Sequence, residues 1–161
     1  MSPIAFPAPV DPRLVFPDLR ARSLEQVLLE MAEALAAAGA VSDPADLAER
    51  LLRRERDGCT SLGEGIAFPH CRVEGLREPL LSVGVSSAGI DFGALDGVPI
   101  TLVFLLLSPR EAPALHLQAL ARLTRLVRAP GLAEALRRAG SAQAIVEILR
   151  DAEGAPTAAT A

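Results

Sequence analysis

No lysine, tyrosine, tryptophan or asparagine occurs in the 161 residues, and all 16 basic side chains are arginine. Without a lysine ammonium there is no Schiff-base catalysis, no covalently held pyridoxal phosphate and no Walker-type phosphate loop, each of which needs that group. Aromatic residues make up 3% of the chain and the net charge is −4, so the basic stripes and stacking rings of a nucleic-acid footprint are missing too. The longest nearly uncharged apolar run, Val98–Leu107, falls far short of the ~20 residues that cross a bilayer, so direct membrane insertion is not expected. The opening Met1-Ser-Pro-Ile-Ala-Phe-Pro carries no basic cluster ahead of an apolar stretch and does not read as a secretory signal. A soluble, cytoplasmic chain is expected, with Cys59 and Cys71 as thiols rather than a structural disulfide.

Side chains with a reference pKa near neutrality then reduce to His70, His116 and the two thiols. The length fits one domain with a core that needs no staples. Four prolines in the first dozen residues mark 1–12 as a mobile arm. Ser23-Leu-Glu-Gln26 has capping-box spacing and opens a helix with Leu24, Val27, Leu28, Met31 and Leu35 on one face, ending near Gly39. Asp43-Pro44 starts a second helix that runs to about Arg56. Strands are expected at Gly65–Phe68, stopped by Pro69, at Leu80–Ser87 and at Pro99–Leu107. The last is apolar on both alternations, as befits a strand covered on both faces. Helices are expected from about Pro113 to Arg128, then from Gly131 and from Ser141, with 13–151 as the domain and 152–161 as a disordered tail. Interspersed helices and strands give an α/β class, a central sheet covered by helices.

Helical spacing puts Arg54 on the same stripe as Leu47 and Leu51, with Arg53 pointing away. Either its stem lies over apolar surface with the guanidinium in water, or the cation is held over a site that receives an anion. His116 lines up with Leu120, Leu123 and Val127. That placement suits a core histidine, or an imidazole kept neutral by the first turn of its helix, where backbone N–H groups await an anion. His70 follows Pro69 at a strand end, where α/β proteins place reactive groups and where a neutral imidazole can attack phosphorus. A zinc set from Cys59, His70, Cys71 and His116 is opposed by the spacing, which has neither Cys-x₂₋₄-Cys nor His-x₃₋₅-His. A nucleophile pair of Cys71 with His70 is equally weak, because sequence neighbours rarely orient side chains toward each other.

The run Arg54-Glu-Arg-Asp-Gly-Cys-Thr-Ser-Leu-Gly-Glu-Gly-Ile-Ala-Phe-Pro-His70-Cys71 resembles the active-site signature of phosphotransferase-system EIIA domains of the fructose/mannitol/nitrogen-regulatory type. The likeness continues through Ser23–Ala36, Gly89-Ile-Asp-Phe92 and His116-Leu-x-x-Leu, and spans about Leu14 to Asp151. It implies a mixed β-sheet flanked by helices on both faces. It also implies His70 as the phospho-acceptor, Arg54 as the site arginine, His116 as a second histidine facing the first, and Glu55 and Thr60 as supporting residues. Cys59, Phe68 and Cys71 stand where Ser, an aliphatic residue and Gly are usual, and none of these changes removes a catalytic group. The implied donor is a histidine-phosphorylated HPr or its nitrogen-branch counterpart. The implied acceptor is an EIIB cysteine, or the phospho-state signals to a regulatory target; the carrier itself needs no metal or nucleotide. A chain without a fused EIIB or membrane segment leans slightly toward regulation. A binding module of the same fold that has lost phosphotransfer is disfavoured by the presence of all three site residues.

Overall fold

The computed structural model describes residues 10–154. A 3₁₀ turn (Pro12–Leu14) leads into β1 (Val15–Phe16), followed by α1 (Leu24–Ala37) and α2 (Pro44–Asp57). Five strands come next: β2 (Ser61–Gly63), β3 (Ile66–Ala67), β4 (His70–Val73), β5 (Leu80–Ile90) and β6 (Ile100–Pro109). Helices α3 (Pro113–Val127), α4 (Leu132–Arg138) and α5 (Ala142–Gly154) complete the chain. The first two helices start at their caps. Ser23 Oγ accepts from the Gln26 N–H at 3.2 Å and the Asp43 carboxylate from the Asp46 N–H at 3.1 Å, each serving a donor orphaned at a helix start.

The sheet order is β1-β5-β6-β3-β2, with β4 also paired to β6. β5 and β6 are antiparallel, while β1 joins β5, and β3 and β4 join β6, in parallel. β3 and β4 therefore follow one another along a single edge of β6, Ile66 opposite Leu102 and His70 opposite Leu106. Between them Pro69 has no N–H to give, but its carbonyl accepts from the Leu106 N–H at 2.9 Å, so the register carries across the break. The hairpin from β2 to β3 turns through Gly65 at φ +77°, where a Cβ would come within 2.9 Å of the Pro99 carbonyl oxygen. The Gly65 carbonyl accepts from Thr101 and Leu102, which sets β3 against β6 and hence the position of everything up to His70.

β6 buries both of its faces. Leu102, Phe104 and Leu106 pack with Leu123, Leu136 and Ile145 of α3, α4 and α5. Val103, Leu105 and Leu107 pack with Leu28, Met31 and Leu51 of α1 and α2. Helices thus cover both faces of a mixed sheet, and each fully buried leucine contributes about 1.5–3 kcal/mol.

Three short strands were not foreseen: β1, β2 and β4. His70, expected on a turn after a strand, is the first residue of β4. Its pairing partner lies 36 positions away in sequence, beyond the reach of local patterning. Val10 is buried among core residues and Pro12 opens the 3₁₀ turn, so the arm expected over 1–12 is structured from Val10 onward. α5 runs to Gly154, so the tail expected from Ala152 begins inside a helix. Residues 1–9 and 155–161 lie outside the described residues.

Candidate active site

Residues in register on neighbouring parallel strands share a face of the sheet, and successive residues alternate. His70 therefore faces the same way as Leu106, and Arg72 the same way as Ser108, toward α3. Cys71 faces the other way, with Leu107, onto the cluster built by α1 and α2. His116 stands at the start of α3. The two imidazoles, both half-buried, meet over the C-terminal end of β6 with ring centroids 5.4 Å apart and planes inclined by 42°.

His70 is held by its own strand entry. Nδ1 lies 2.7 Å from the Phe68 carbonyl oxygen. A carbonyl can only accept, so Nδ1 carries the proton and, in the neutral ring, the lone pair is on Nε2. The Phe68 peptide is fixed from its other side. Its N–H donates to Thr60 Oγ1 at 3.2 Å, and the Thr60 hydroxyl in turn donates to Glu55 Oε1. Glu55 Oε2 also accepts from the Thr60 N–H at 3.0 Å. The Glu55 carboxylate is 4% exposed and is satisfied by these two bonds. A tilted contact of Phe68 with Phe104, centroids 5.5 Å apart and planes inclined by 38°, completes the support.

His116 Nδ1 lies 2.8 Å from Ser108 Oγ, and Ser108 is fully buried. Burial is the main reason the His116 pKa lies below its ordinary value, with the charge of His70 and then that of Arg72 adding to it. This imidazole is therefore neutral through the neutral pH range.

Arg54 is placed differently from the helical-stripe expectation. The α2 residue buried below Leu47 and Leu51 is Glu55, whereas Arg54 is exposed at the end of the helix. Its Nη1 donates to the Gly58 carbonyl at 3.0 Å, and among the described residues no hydrogen bond or ion pair joins it to either imidazole. The last turn of α2 tilts the hydrogen-bonded carboxylate inward and the guanidinium outward, which spares a charge without a partner from burial. The fold thus brings together His70 and His116, and links Glu55 and Thr60 to His70 through Phe68. Arg54 instead reaches Gly58, four residues on and at the start of the Gly58–Thr60 segment, rather than the rings.

Two residues were missed by sequence reasoning. Arg72 sits two places after His70 on β4 and so shares its face; only knowledge that His70–Val73 is a strand would have singled it out. Ser108 has no local signal, because its role depends on pairing with β4 and on the α3 crossing. Cys71 Sγ donates to the Arg72 carbonyl at 3.4 Å, and burial pushes its thiol up in pKa against the opposing pull of Arg50 and Arg110. It is a protonated thiol at neutral pH, not a reactive thiolate. Among the described residues no group of three or more His, Cys, Asp or Glu side chains is arranged to hold a metal ion.

A mixed sheet covered on both faces, with paired imidazoles at the C-terminal end of its central strand, defines a two-histidine α/β domain. Residues 9–152 match the family model for the phosphoenolpyruvate-dependent sugar phosphotransferase system, EIIA 2, and the chain belongs to that family. It is 40% identical over 140 residues to a nitrogen regulatory protein of Bradyrhizobium diazoefficiens, covering 87% of this chain and 91% of that one. It is 35% identical over 132 residues to the fructose-specific EIIABC component of Bacillus subtilis, covering 82% of this chain and 21% of that one. The crystal structure of the nitrogen regulatory protein IIA-Ntr from Neisseria meningitidis superposes with a TM-score of 0.79 at 29% identity, covering 88% of this chain and 96% of that one. No helix among the described residues is long and apolar enough to cross a membrane.

Proposed function

We propose that this chain is a phosphocarrier that takes a phosphoryl group onto His70 Nε2 from a histidine-phosphorylated HPr-like donor. The observation that carries the reading is the pairing of the two rings, one with its lone pair placed on Nε2 by the Phe68 carbonyl. As the His70 Nε2–P bond forms, the donor's P–N bond breaks and its electron pair leaves with the donor imidazole. In the onward step a thiolate of an EIIB cysteine attacks phosphorus and the Nε2–P bond breaks. Such transfers pass through a loose transition state with charge on the equatorial oxygens, so positioning and electrostatics supply most of the catalysis. His116 donates a hydrogen bond to those oxygens, and Arg72 adds positive charge on the same face. Arg54, exposed and with most of its donors left to solvent, swings onto the phosphoryl group when a partner docks.

The surroundings suit a protein partner. Concavities of about 530 and 430 Å³ exist elsewhere, one beside Arg137 and the other beside Asp46 and Arg50, and neither is lined by an imidazole. The histidines open instead onto a surface where Leu117, next to His116, is 69% exposed. An exposed leucine beside the paired histidines, with Arg72 on the same sheet face as His70, suits a docking face used by partners in turn. Resemblance along nearly the full length of a nitrogen regulatory protein favours the regulatory branch as the second reading, in which the phospho-state acts by binding target proteins.

The test is phosphorylation by labelled phospho-carriers of the sugar and nitrogen branches. The expected product is an acid-labile, base-stable phosphate that is absent in His70→Ala. Failure of the wild-type chain to take label from either carrier would overturn the reading. Transfer of that label to an EIIB cysteine assigns the chain to sugar uptake, and retention of it assigns the chain to regulation.

A further inference from the structure

The hydroxyl of Ser108 has one proton and two lone pairs, and it lies in a place that solvent does not reach. Among the described residues its only hydrogen-bond partner is His116 Nδ1, 2.8 Å away. Were Nδ1 protonated, it would donate to the serine oxygen and leave the serine proton with no acceptor, which buried hydroxyls avoid. With Nδ1 bare, the serine donates to it and the buried hydroxyl proton has its acceptor.

We propose that Ser108 is a positioning residue that fixes His116 as the neutral tautomer with its proton on Nε2. The assignment rests on the phosphocarrier reading for its purpose, because only the Nε2–H form can present a donor from the ring's free nitrogen to a phosphoryl oxygen. The two histidines then hold opposite tautomers. The Phe68 carbonyl pins the proton of His70 on Nδ1 and bares Nε2 for attack, while the Ser108 hydroxyl bares Nδ1 of His116 and leaves Nε2–H to donate. A ring that could exchange tautomers freely would turn a lone pair, not a proton, toward the incoming oxygens for part of the time. Burial helps, since it already disfavours the doubly protonated ring that would defeat the selection.

The experiment is nitrogen NMR of the full chain labelled at histidine, in which bare and protonated ring nitrogens are separately recognised, together with the rate of phosphoryl uptake. The wild-type spectrum should show His116 with bare Nδ1 and protonated Nε2, and His70 the reverse. Ser108→Ala should give a mixture of both tautomers at His116 with His70 unchanged, and uptake about tenfold slower. Ser108→Thr, which keeps the hydroxyl, should restore the single tautomer and most of the rate. A wild-type His116 protonated on Nδ1 overturns the proposal without recourse to any variant. So does a Ser108→Ala protein that folds and keeps the wild-type tautomer. Because the spectrum is read on unphosphorylated protein, failure of the phosphocarrier reading would show separately, as absence of label on His70.

Discussion

Replacing Thr60 by valine keeps the shape of the side chain and removes only its hydroxyl, which makes it the sharpest probe of how His70 is held. The hydroxyl serves two neighbours at once: it donates to Glu55 Oε1 and accepts from the Phe68 N–H at 3.2 Å. Loss of a hydrogen bond to a charged group costs about 1.5–3 kcal/mol, and a buried N–H left without a partner about 1–3 kcal/mol. Thr60 is half-buried, so water replaces part of what is lost, and a net destabilisation of about 2–3 kcal/mol is expected. In a domain of this size each kcal/mol moves the melting temperature by about 2–4 °C, which gives a fall of about 4–12 °C by thermal unfolding. The functional consequence is separate. The Phe68 carbonyl that orients His70 Nδ1 at 2.7 Å loses its anchor, and uptake of phosphate should slow about tenfold, the equivalent of 1.4 kcal/mol of positioning. Thr60→Ser, which retains the hydroxyl, should recover most of the rate. A valine variant with the wild-type melting temperature, uptake rate and His70 tautomer would show that the link from Glu55 to His70 does not position the ring.

Arg54→Ala should slow phosphoryl transfer on the order of 10²-fold, as for loss of one charge-stabilising donor, with Arg72→Ala as the comparison; an unchanged rate in Arg54→Ala would leave that residue as a brace for Gly58 alone. His116 contributes to stability through its depressed pKa: the unfolded ring takes up a proton below about 6.5 while the folded one resists. Its contribution is therefore present above that pH and declines as pH falls toward the folded value, and chemical denaturation at several pH values should show a shallower acid-side decline in His116→Ala. Leu105→Ala, in the middle of β6 and fully buried, should cost about 2–5 kcal/mol in the same assay without altering the His70 tautomer.

Much of this molecule can be read from its residues, and what cannot has a physical reason. The double-faced apolar run of β6 announced a strand between two layers, and the caps at Ser23 and Asp43 fixed two helix starts because both are local chemistry. β4 escaped notice because His70–Val73 is short and mostly polar, and owes its extended shape to pairing with β6 rather than to its own propensity. The α2 stripe was legible at Leu47 and Leu51 but not at its end. Angular position alone favoured Arg54, whereas burial went to Glu55, four residues after Leu51, because Thr60 supplies both of its hydrogen bonds. Thr60 is not helical, so no helical wheel contains that information. His116 was visible as a polar residue on an apolar helix face, yet its partner Ser108 comes from β6, outside that helix.

The alternation along β4 has a last consequence for traffic through the molecule. In the proposed phosphocarrier role, a phosphoryl group on His70 would have a cysteine as its immediate chain neighbour, the same kind of residue as the proposed EIIB acceptor, yet the thickness of the sheet lies between the two side chains. A sulfur on the reverse side cannot come into line with the phosphorus–nitrogen axis. The pleat thus acts as insulation: it closes the shortest internal leak, and delivery is left to a visitor.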